Sequence, residues 1–286
     1  MQAKTRLSRQ AMIAVMPLAL AGCLSSMPQM DANQGGAAEP AEAATELATL
    51  DMGLAALMQN DYAQAYQLLM PMAEAGDADA QFYIGLIYEV DDKREIDLRQ
   101  SMHWYQRAAK QGHVPSQAQL GHLYFHGGPG IEINDEMAFK WNQRAALAGN
   151  PYAQYVLSRQ YFFGRGTHKS HEQSATWLRR AAGQGHAQGQ FMLGISYYLG
   201  YGVEPDEEQA LEWYHLAADQ NWAEAQYMIG LFHLDNSEMA KYFQWIQRAA
   251  DQGMAGAQRD VGLAYLDGRG VEVNQAKAVQ WIEKAA

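Results

Sequence analysis

The chain has 286 residues, enough for one or two domains with a substantial core. Only 8 residues are proline and 19% are charged, which is typical of a folded helical protein and argues against a disordered one. The net charge is −11 and no run is rich in Lys and Arg, so nucleic acid is excluded as an expected partner, and no apolar stretch is long enough to span a bilayer. A single cysteine excludes an internal disulfide.

The first 23 residues have the organisation of an export leader. A positively charged segment precedes a short apolar stretch over residues 11–21, and small residues lead up to Cys23. The sequence LAGC, which ends at Cys23, resembles the bacterial lipobox. This resemblance implies a signal peptide over residues 1–22 and a lipid anchor on Cys23. Because no aspartate follows the cysteine, it also implies the outer membrane, with the protein facing the periplasm. The alternative is an ordinary signal peptide with an incidental cysteine.

The segment after the leader lacks periodic apolar residues. It is rich in Ser, Pro, Gly, Ala and Gln, which predicts a flexible tether over residues 23–46, counting the lipidated Cys23. A helical hairpin is predicted over residues 47–77, on the segments Asp-Tyr-Ala at 61–63 and Ala-Glu-Ala-Gly at 73–76.

From residue 78 to residue 286 the chain repeats itself. Six tryptophans are spaced by 37, 36, 36, 32 and 36 residues, and each is followed by an Ala-Ala pair. A glutamine series keeps the same period, and a period in this range predicts a solenoid of supersecondary units. The tryptophans are Trp104, Trp141, Trp177, Trp213, Trp245 and Trp281, and the glutamines are Gln81, Gln117, Gln154, Gln190, Gln226 and Gln258.

Each unit contains two predicted helices, an A helix that carries the glutamine and a B helix that carries the tryptophan. Good N-cap residues, such as Asp97, stand seven residues before five of the six tryptophans, and Glu238 is the exception. Glycine or asparagine follows the B helices, as expected for a left-handed C′ position. Gly-x-Gly segments such as 200–202 join A to B, and because no strand precedes them we interpret them as turns.

The run AQGQFMLGISYYLGYGVEPDEEQALEWYHLAADQ, residues 187–220, resembles the Sel1-like repeat, a relative of the tetratricopeptide repeat. This resemblance implies an all-α fold, an α/α superhelical solenoid with six Sel1-like copies over 78–286 and a tetratricopeptide-like hairpin over 47–77. It further implies an adaptor that binds other proteins of a cell-envelope complex, of the secretion or polysaccharide-export type, with the A helices on the concave side.

Positions two and five residues after each repeat glutamine vary between copies, and we expect them to form the partner-binding stripe on the A helices. Met and Tyr at such positions suit a peptide or a helix. The alternative is that the aliphatic members only pack between neighbouring A helices. The candidates are Tyr83, Gln119, His122, Arg159, Met192 and Met228.

Trp222 is the one tryptophan outside the repeat register. It stands at a corner between copies where most other copies have a polar residue, which predicts a partner contact. The alternative is that its ring fills the space left by the next copy, which is four residues short and has Leu-Asp-Asn-Ser at 234–237 in place of a glycine turn.

The sequence offers no constellation for catalysis, so we expect no catalytic residue and no cofactor. His122 and His126 have a zinc-compatible spacing, but no glutamate or third ligand accompanies them, and we expect no metal site. The alternative functions are a module that binds glycan or peptidoglycan fragments and, less favoured, an enzyme.

The last hairpin carries apolar residues, namely Val261, Leu263, Val279 and Ile282, with no capping helix after it in this sequence. An uncapped solenoid end leaves an apolar face in water. This predicts self-association or partner docking through the C-terminal repeat, with fraying, or a chain cut short, as the alternative.

Overall fold

A computed structural model of the chain describes residues 41–90 and 96–286, with side chains from residue 49 onward. The predicted signal peptide, the lipidation site Cys23 and the predicted tether up to residue 40 lie outside the described residues. Within the described ranges the secondary structure is helical, apart from an isolated bridge between Gly128 and Ile131 in a turn. None of the helices in these ranges combines the length and the apolar character that a bilayer crossing requires.

The helices are short and nearly uniform in length, as expected for a repeat protein. They are α1 (Ala41–Met58), α2 (Tyr62–Ala75), α3 (Ala78–Val90), α4 (Leu98–Lys110), α5 (Val114–His126), α6 (Asp135–Leu147), α7 (Pro151–Phe163), α8 (His171–Gly183), α9 (Ala187–Leu199), α10 (Glu207–Asp219), α11 (Ala223–Asp235), α12 (Met239–Asp251), α13 (Ala255–Asp267) and α14 (Gln275–Lys284).

Consecutive helices pair into hairpins, with odd-numbered helices as A helices and even-numbered ones as B helices. Neighbouring hairpins pack on one another within each compact part of the chain, and the predicted all-α solenoid of helical hairpins is confirmed. Such an arrangement lets every amphipathic helix bury its apolar side against sequence neighbours alone.

The described residues divide into two compact units, one ending at Trp177 and one running from Leu178 to Ala286. The core of the first unit consists of small clusters, for example Leu69, Ile84 and Ile87 beside Trp104. The second unit contains an extended core cluster that includes Tyr214, Ile229 and Ile246. The predicted exposed end face is wrong for Val261, which is fully buried in this second core, whereas Val279 and Ile282 are exposed.

The helix ends follow from the sequence as predicted. The Asp97 carboxylate accepts hydrogen bonds from the backbone N–H groups of Arg99 and Gln100, both at 3.1 Å, which satisfies two donors that a helix start leaves open. Glu238 makes no such bond. The residues that end the B helices have the predicted positive φ, namely Gly112, Gly149, Gly185, Asn221 and Gly253.

Within a hairpin, the A-helix glycine faces the residue that follows the repeat tryptophan. A Cβ atom on Gly85 would lie 2.6 Å from the ring of Tyr105, so only glycine permits this approach. The tryptophan itself packs beside this contact: Trp104 joins the core formed with the preceding helices α2 and α3. The B helix therefore uses two adjacent aromatic positions, one inside its hairpin and one toward the hairpin before it.

Helix α1 begins at Ala41, so the last part of the segment predicted as tether, residues 41–46, is helical. The sequence AEAATEL contains no glycine or proline, and Ala, Glu and Leu are among the best helix formers. The helix begins six residues before the predicted end of the tether, because the small-residue composition of the whole segment does not distinguish this helix-forming part.

Candidate partner-binding surface

A repeated hydrogen bond fixes the orientation of the A helices. In each copy the repeat glutamine is buried, and its Nε2 donates to the carbonyl of the alanine eight residues earlier, over distances from 3.0 Å at Gln81 to 3.4 Å at Gln226. This alanine is the second of an Ala-Ala pair in every copy except that of Gln81, where it is Ala73. The other four bonds of the series join Gln117 to Ala109, Gln154 to Ala146, Gln190 to Ala182 and Gln258 to Ala250. These carbonyls lie in the last turn of a B helix, and each also accepts from the backbone N–H three residues further on, so the glutamine supplies a second bond.

This bond also determines what the opposite side of the A helix presents. At 100° per residue, positions two and five residues after the glutamine lie on the far side of the helix from it. The stripe predicted from the sequence is therefore turned away from the preceding B helix.

Several members of the stripe are nevertheless core residues. Met228 is 2% exposed, so its assignment as a partner contact is wrong: the side chain packs in the core of the second unit. Three further positions of the stripe, Val156, Ile195 and Leu231, are also buried. Aliphatic side chains there fill the space within the core, which is the alternative that the sequence left open.

The remaining candidates are half-buried. Tyr83 contacts the ring of Phe82, with 5.1 Å between ring centroids, and Met192 packs on the core of the second unit. Gln119 is half-buried on α5. Burial, followed by the nearby Asp79 carboxylate, raises the pKa of Tyr83 above its usual value, so its hydroxyl stays protonated at neutral pH.

Trp222 occupies the N-cap position of α11 and makes no capping bond with its side chain. Its ring packs against the core of the second unit, and its indole Nε1 is buried without a hydrogen-bond partner. A partner cannot reach a buried N–H group, so the polar end of this indole is not available for contact. The structure therefore supports internal packing for Trp222.

In the first unit, the structure brings His122 and Arg159 together with residues that the sequence did not single out. His122 Nδ1 lies 2.6 Å from the hydroxyl of Tyr152, and the His122 and His126 rings are 4.5 Å apart between centroids. We call the set His122, His126, Tyr152, Tyr155, Phe125, Arg159 and Arg165 the cationic–aromatic cluster. It is built from the neighbouring A helices α5 and α7 and from the turn that follows α7.

The two arginines of the cluster differ in their partners. Arg165 lies 4.0 Å from the Phe125 ring centroid, donates to the Phe125 carbonyl at 3.1 Å and forms an ion pair with Asp135 at 2.6 Å. Arg159 lies over the Phe125 and Tyr155 rings at 5.6 and 5.8 Å, and no carboxylate in the described part of the chain pairs with it. Arg159 is therefore the cation of this cluster whose charge is not neutralised.

The turn that carries Arg165 depends on glycine. Gly164 and Gly166 have φ near +72°, and a Cβ atom on Gly166 would lie 2.0 Å from the backbone oxygen of Asp135. The turn thus lies directly on the start of the preceding B helix, which places Arg165 beside Asp135. This position was detectable only as the middle residue of a Gly-x-Gly turn, a pattern that we interpreted as a connector.

The histidines of the cluster are neutral at neutral pH. Burial lowers the pKa of His126 to about 4, and the charges of His122, Arg159 and Arg165 contribute in the same direction. Burial also lowers the pKa of His122. The guanidinium groups therefore carry the positive charge, while the imidazoles offer neutral donors and acceptors.

The structure gives the His122–His126 pair no further ligands for a metal. Across residues 41–90 and 96–286, no group of three or more His, Cys, Asp or Glu side chains is arranged to hold a metal ion. What the cluster can do chemically is bind: it offers an open guanidinium, aromatic faces and neutral hydrogen-bonding groups.

The sequence of the chain matches the model of the Sel1 repeat in eight segments. They cover residues 41–77, 78–113, 114–150, 151–186, 187–222, 223–238, 243–254 and 255–286. The short copy accounts for two of these segments, 223–238 and 243–254. The hairpin that we interpreted as tetratricopeptide-like is included, since the first segment covers it.

Two solved structures are similar in sequence and fold. A Sel1 repeat protein from Oxalobacter formigenes is 32% identical, with a TM-score of 0.71 over 84% of this chain and 71% of that one. A protective antigen from uropathogenic Escherichia coli, described as having an SLR fold, is 29% identical with a TM-score of 0.50, and the match spans 84% of this chain and 61% of that one.

An immunity protein from Pseudomonas aeruginosa, 18% identical with a TM-score of 0.50 over 73% of this chain and 80% of that one, shares the fold alone. A search of curated proteins found no similar sequence.

Proposed function

Because the chain belongs to the Sel1 repeat family, whose members bind other proteins as scaffolds, we propose that it is a non-enzymatic adaptor of a bacterial cell-envelope complex. In this proposal the A-helix surface of the first unit holds a segment of a partner protein. The LAGC sequence supports attachment to the outer membrane through a lipid on Cys23, with the repeats facing the periplasm.

The observation that carries the proposal is the open guanidinium of Arg159 within the cationic–aromatic cluster. A partly desolvated arginine beside aromatic rings forms strong charge-assisted hydrogen bonds to a carboxylate. Such residues dominate the energetics of many interfaces. The cluster therefore favours a partner segment that places an Asp or Glu side chain, or a chain-terminal carboxylate, against Arg159.

The experiment is a crosslinking pull-down from the native envelope with the full chain and two variants. Arg159→Gln removes the cation and keeps hydrogen-bonding capacity. Lys140→Gln removes the same charge from an exposed position on B helix α6 and serves as the matched control. We expect one protein to be captured by the unmodified chain and by Lys140→Gln, and to be reduced at least tenfold with Arg159→Gln.

The same preparation tests the competing function. Capture of muropeptides or glycan without an Arg159-dependent protein would contradict the adaptor proposal and favour a glycan-binding module. Loss of capture at 0.5 M salt is expected as well, since the contact with Arg159 is electrostatic.

A further inference from the structure

A cation covers the repeat tryptophan in B helices of both units, three residues further along the helix. Arg107 lies 4.6 Å from the ring centroid of Trp104. The same pairing recurs for Arg144 on Trp141 at 4.7 Å, Arg248 on Trp245 at 4.6 Å and Lys284 on Trp281 at 4.1 Å. At a spacing of three residues the two side chains are neighbours on one helix face, so the pairing is built into the repeat.

One copy departs from this rule. In α10 the residue three after Trp213 is Leu216, and no cation lies over the Trp213 ring among the residues that the structure describes. Leu216 is 46% exposed, and Trp213 is half-buried like Trp245 and Trp281, but those two rings each have a cation over them. The copy therefore leaves an indole partly open beside an exposed leucine.

In the copy that contains Trp104, the arginine has a second role that a leucine cannot fill. Arg107 donates to the Ala73 and Glu74 carbonyls at 3.3 and 3.5 Å, in the last turn of the preceding B helix. By the register of the repeat, the equivalent carbonyls for position 216 are those of Ala182 and Gly183. Leucine cannot donate to them, so this helix end, with its partial negative charge, lacks the cation that Arg107 supplies in its own copy, although the Ala182 carbonyl still accepts from Gln190.

The charge of α10 fits a cation from outside the chain. Its exposed residues include Glu207, Glu208, Glu212 and Asp219, and it contains no Lys or Arg. The other five B helices that carry a repeat tryptophan contain at least two Lys or Arg residues each. The helix without a cation over its tryptophan is thus also the one with the most negative composition among these B helices.

We propose that the open face of Trp213, next to Leu216 and the carboxylates of α10, binds an arginine or lysine side chain of a partner protein. The partner's cation takes the place over the indole that an arginine or lysine of the chain itself takes in four other copies. Leu216 packs against the apolar stem of that side chain. This site lies in the second unit and prefers the opposite charge to the Arg159 site, so it goes beyond the proposed function.

The test uses a nona-arginine peptide as the probe and the full chain as the receptor. Leu216→Arg places over the indole the residue that most other copies have at this position, and Leu216→Gln removes the leucine but leaves the indole open. Gln280→Arg, on exposed α14, adds the same charge elsewhere and controls for general attraction between an acidic chain and a basic peptide. Binding is measured by titration, and the indole Nε1–H resonance of Trp213, assigned with Trp213→Phe, reports where the peptide binds.

We expect Leu216→Arg to weaken binding at least tenfold and to abolish the shift of the Trp213 resonance. Gln280→Arg and Leu216→Gln should stay within threefold of the unmodified chain. Equal weakening by Leu216→Arg and Gln280→Arg, or a Trp213 resonance that does not move on saturation, would overturn the proposal. Neither outcome bears on Arg159, so failure here is distinguishable from failure of the proposed function.

Discussion

A histidine caps the start of two A helices, and at His186 this cap makes the stability of the fold sensitive to acid. The backbone N–H of Gly189 donates to Nδ1 of His186 at 3.1 Å, and His113 caps Ser116 in the same way. Accepting this bond requires an unprotonated Nδ1. Asn150 fills the equivalent position of α7 and its side-chain oxygen accepts from Ala153 N–H, so an amide can replace the imidazole.

We predict that His186→Asn flattens the dependence of stability on pH. Burial lowers the pKa of His186 from its ordinary value near 6.5 to about 4 in the folded state. Between these values the unfolded chain binds a proton that the folded chain does not, so stability is lost as pH falls from 6.5 to 4. At pH 4 the buried, neutral imidazole of His186 lowers the free energy of unfolding by at most about 3 kcal/mol.

Urea denaturation from pH 8 to pH 4 checks this prediction. His186→Asn should match the unmodified chain at pH 8 and exceed it at pH 4. His186→Ala should be about 1 kcal/mol less stable at pH 8, because it loses the cap, and equally flat. Parallel profiles of stability against pH for all three proteins would show that the His186 cap is not the source of the acid sensitivity.

The repeat glutamines are predicted to stabilise the fold unequally. Gln190 donates to the Ala182 carbonyl and accepts from Nε2 of Gln220 at 2.7 Å, whereas Gln258 donates only to the Ala250 carbonyl among the bonds described. Gln190→Ala should therefore cost about 2 kcal/mol and Gln258→Ala about 1 kcal/mol, since each leaves buried polar groups unpaired. Thermal melts measure both, with exposed Gln280→Ala as the neutral control; equal losses at 190 and 258 would show that the second bond contributes nothing.

At the scale of the element, the short hairpin α11–α12 has no glycine in its turn, and the backbone there is strained. Ser237 adopts φ +61°, a left-handed conformation that disfavours residues with a Cβ atom. We predict that Ser237→Gly raises stability by about 1 kcal/mol. Asn221→Gly, at φ +62°, should gain less, because asparagine tolerates this region. Chemical denaturation distinguishes the two, and no gain from Ser237→Gly would contradict the strain argument.

In five of the six copies with a repeat glutamine, a glycine in the A helix sets how closely the two helices of the hairpin approach, and Ser158 stands at this position in α7. A Cβ atom on Gly194 would lie 2.6 Å from the Tyr214 ring and 3.1 Å from the Ala210 carbonyl oxygen, so Gly194→Ala must push the two helices apart. We predict a loss of about 1–3 kcal/mol. Gly256, near the start of α13, has nothing within 4 Å of its Cβ direction, and Gly256→Ala should gain about 0.5–1 kcal/mol. Similar changes at the two positions in urea melts would show that close approach is not what selects glycine at 194.

At the scale of the whole molecule, the fold was predictable and the binding surface was not. Tryptophan and glutamine recur once per hairpin, so their spacing located every hairpin from residue 78 onward, and cap and C′ residues marked their ends. The period also gave the side of the A helix on which a residue lies, but not how tightly that side is packed. Met228 is therefore buried while Arg159 is not, although both belong to the same stripe.

The cationic–aromatic cluster could not be predicted from the sequence for a related reason. Arg165 reaches Phe125 and Asp135 across two copies, a contact that depends on how one turn lies on the preceding hairpin. The open indole of Trp213 was visible in principle, as the one copy in which the residue three after tryptophan is neither Arg nor Lys. Only the cation–ring contacts of the other copies show that a cation normally lies over the tryptophan at this position.

At the scale of the whole molecule, the proposed attachment to the outer membrane rests on Cys23, which lies outside the described residues. If its thiol is lipidated, several acyl chains attach the protein, and each buried CH₂ contributes about 0.8 kcal/mol to membrane binding. Serine cannot form the thioether, so Cys23→Ser should appear in the soluble periplasmic fraction or keep its leader uncleaved. Detergent phase partitioning and the mass of the N-terminal peptide measure both results, with Ser25→Ala as the control that leaves the cysteine intact. Detergent-phase partitioning of Cys23→Ser equal to that of the unmodified chain would contradict the anchor, and with it the membrane part of the proposed function, while leaving the Arg159 and Trp213 surfaces untouched.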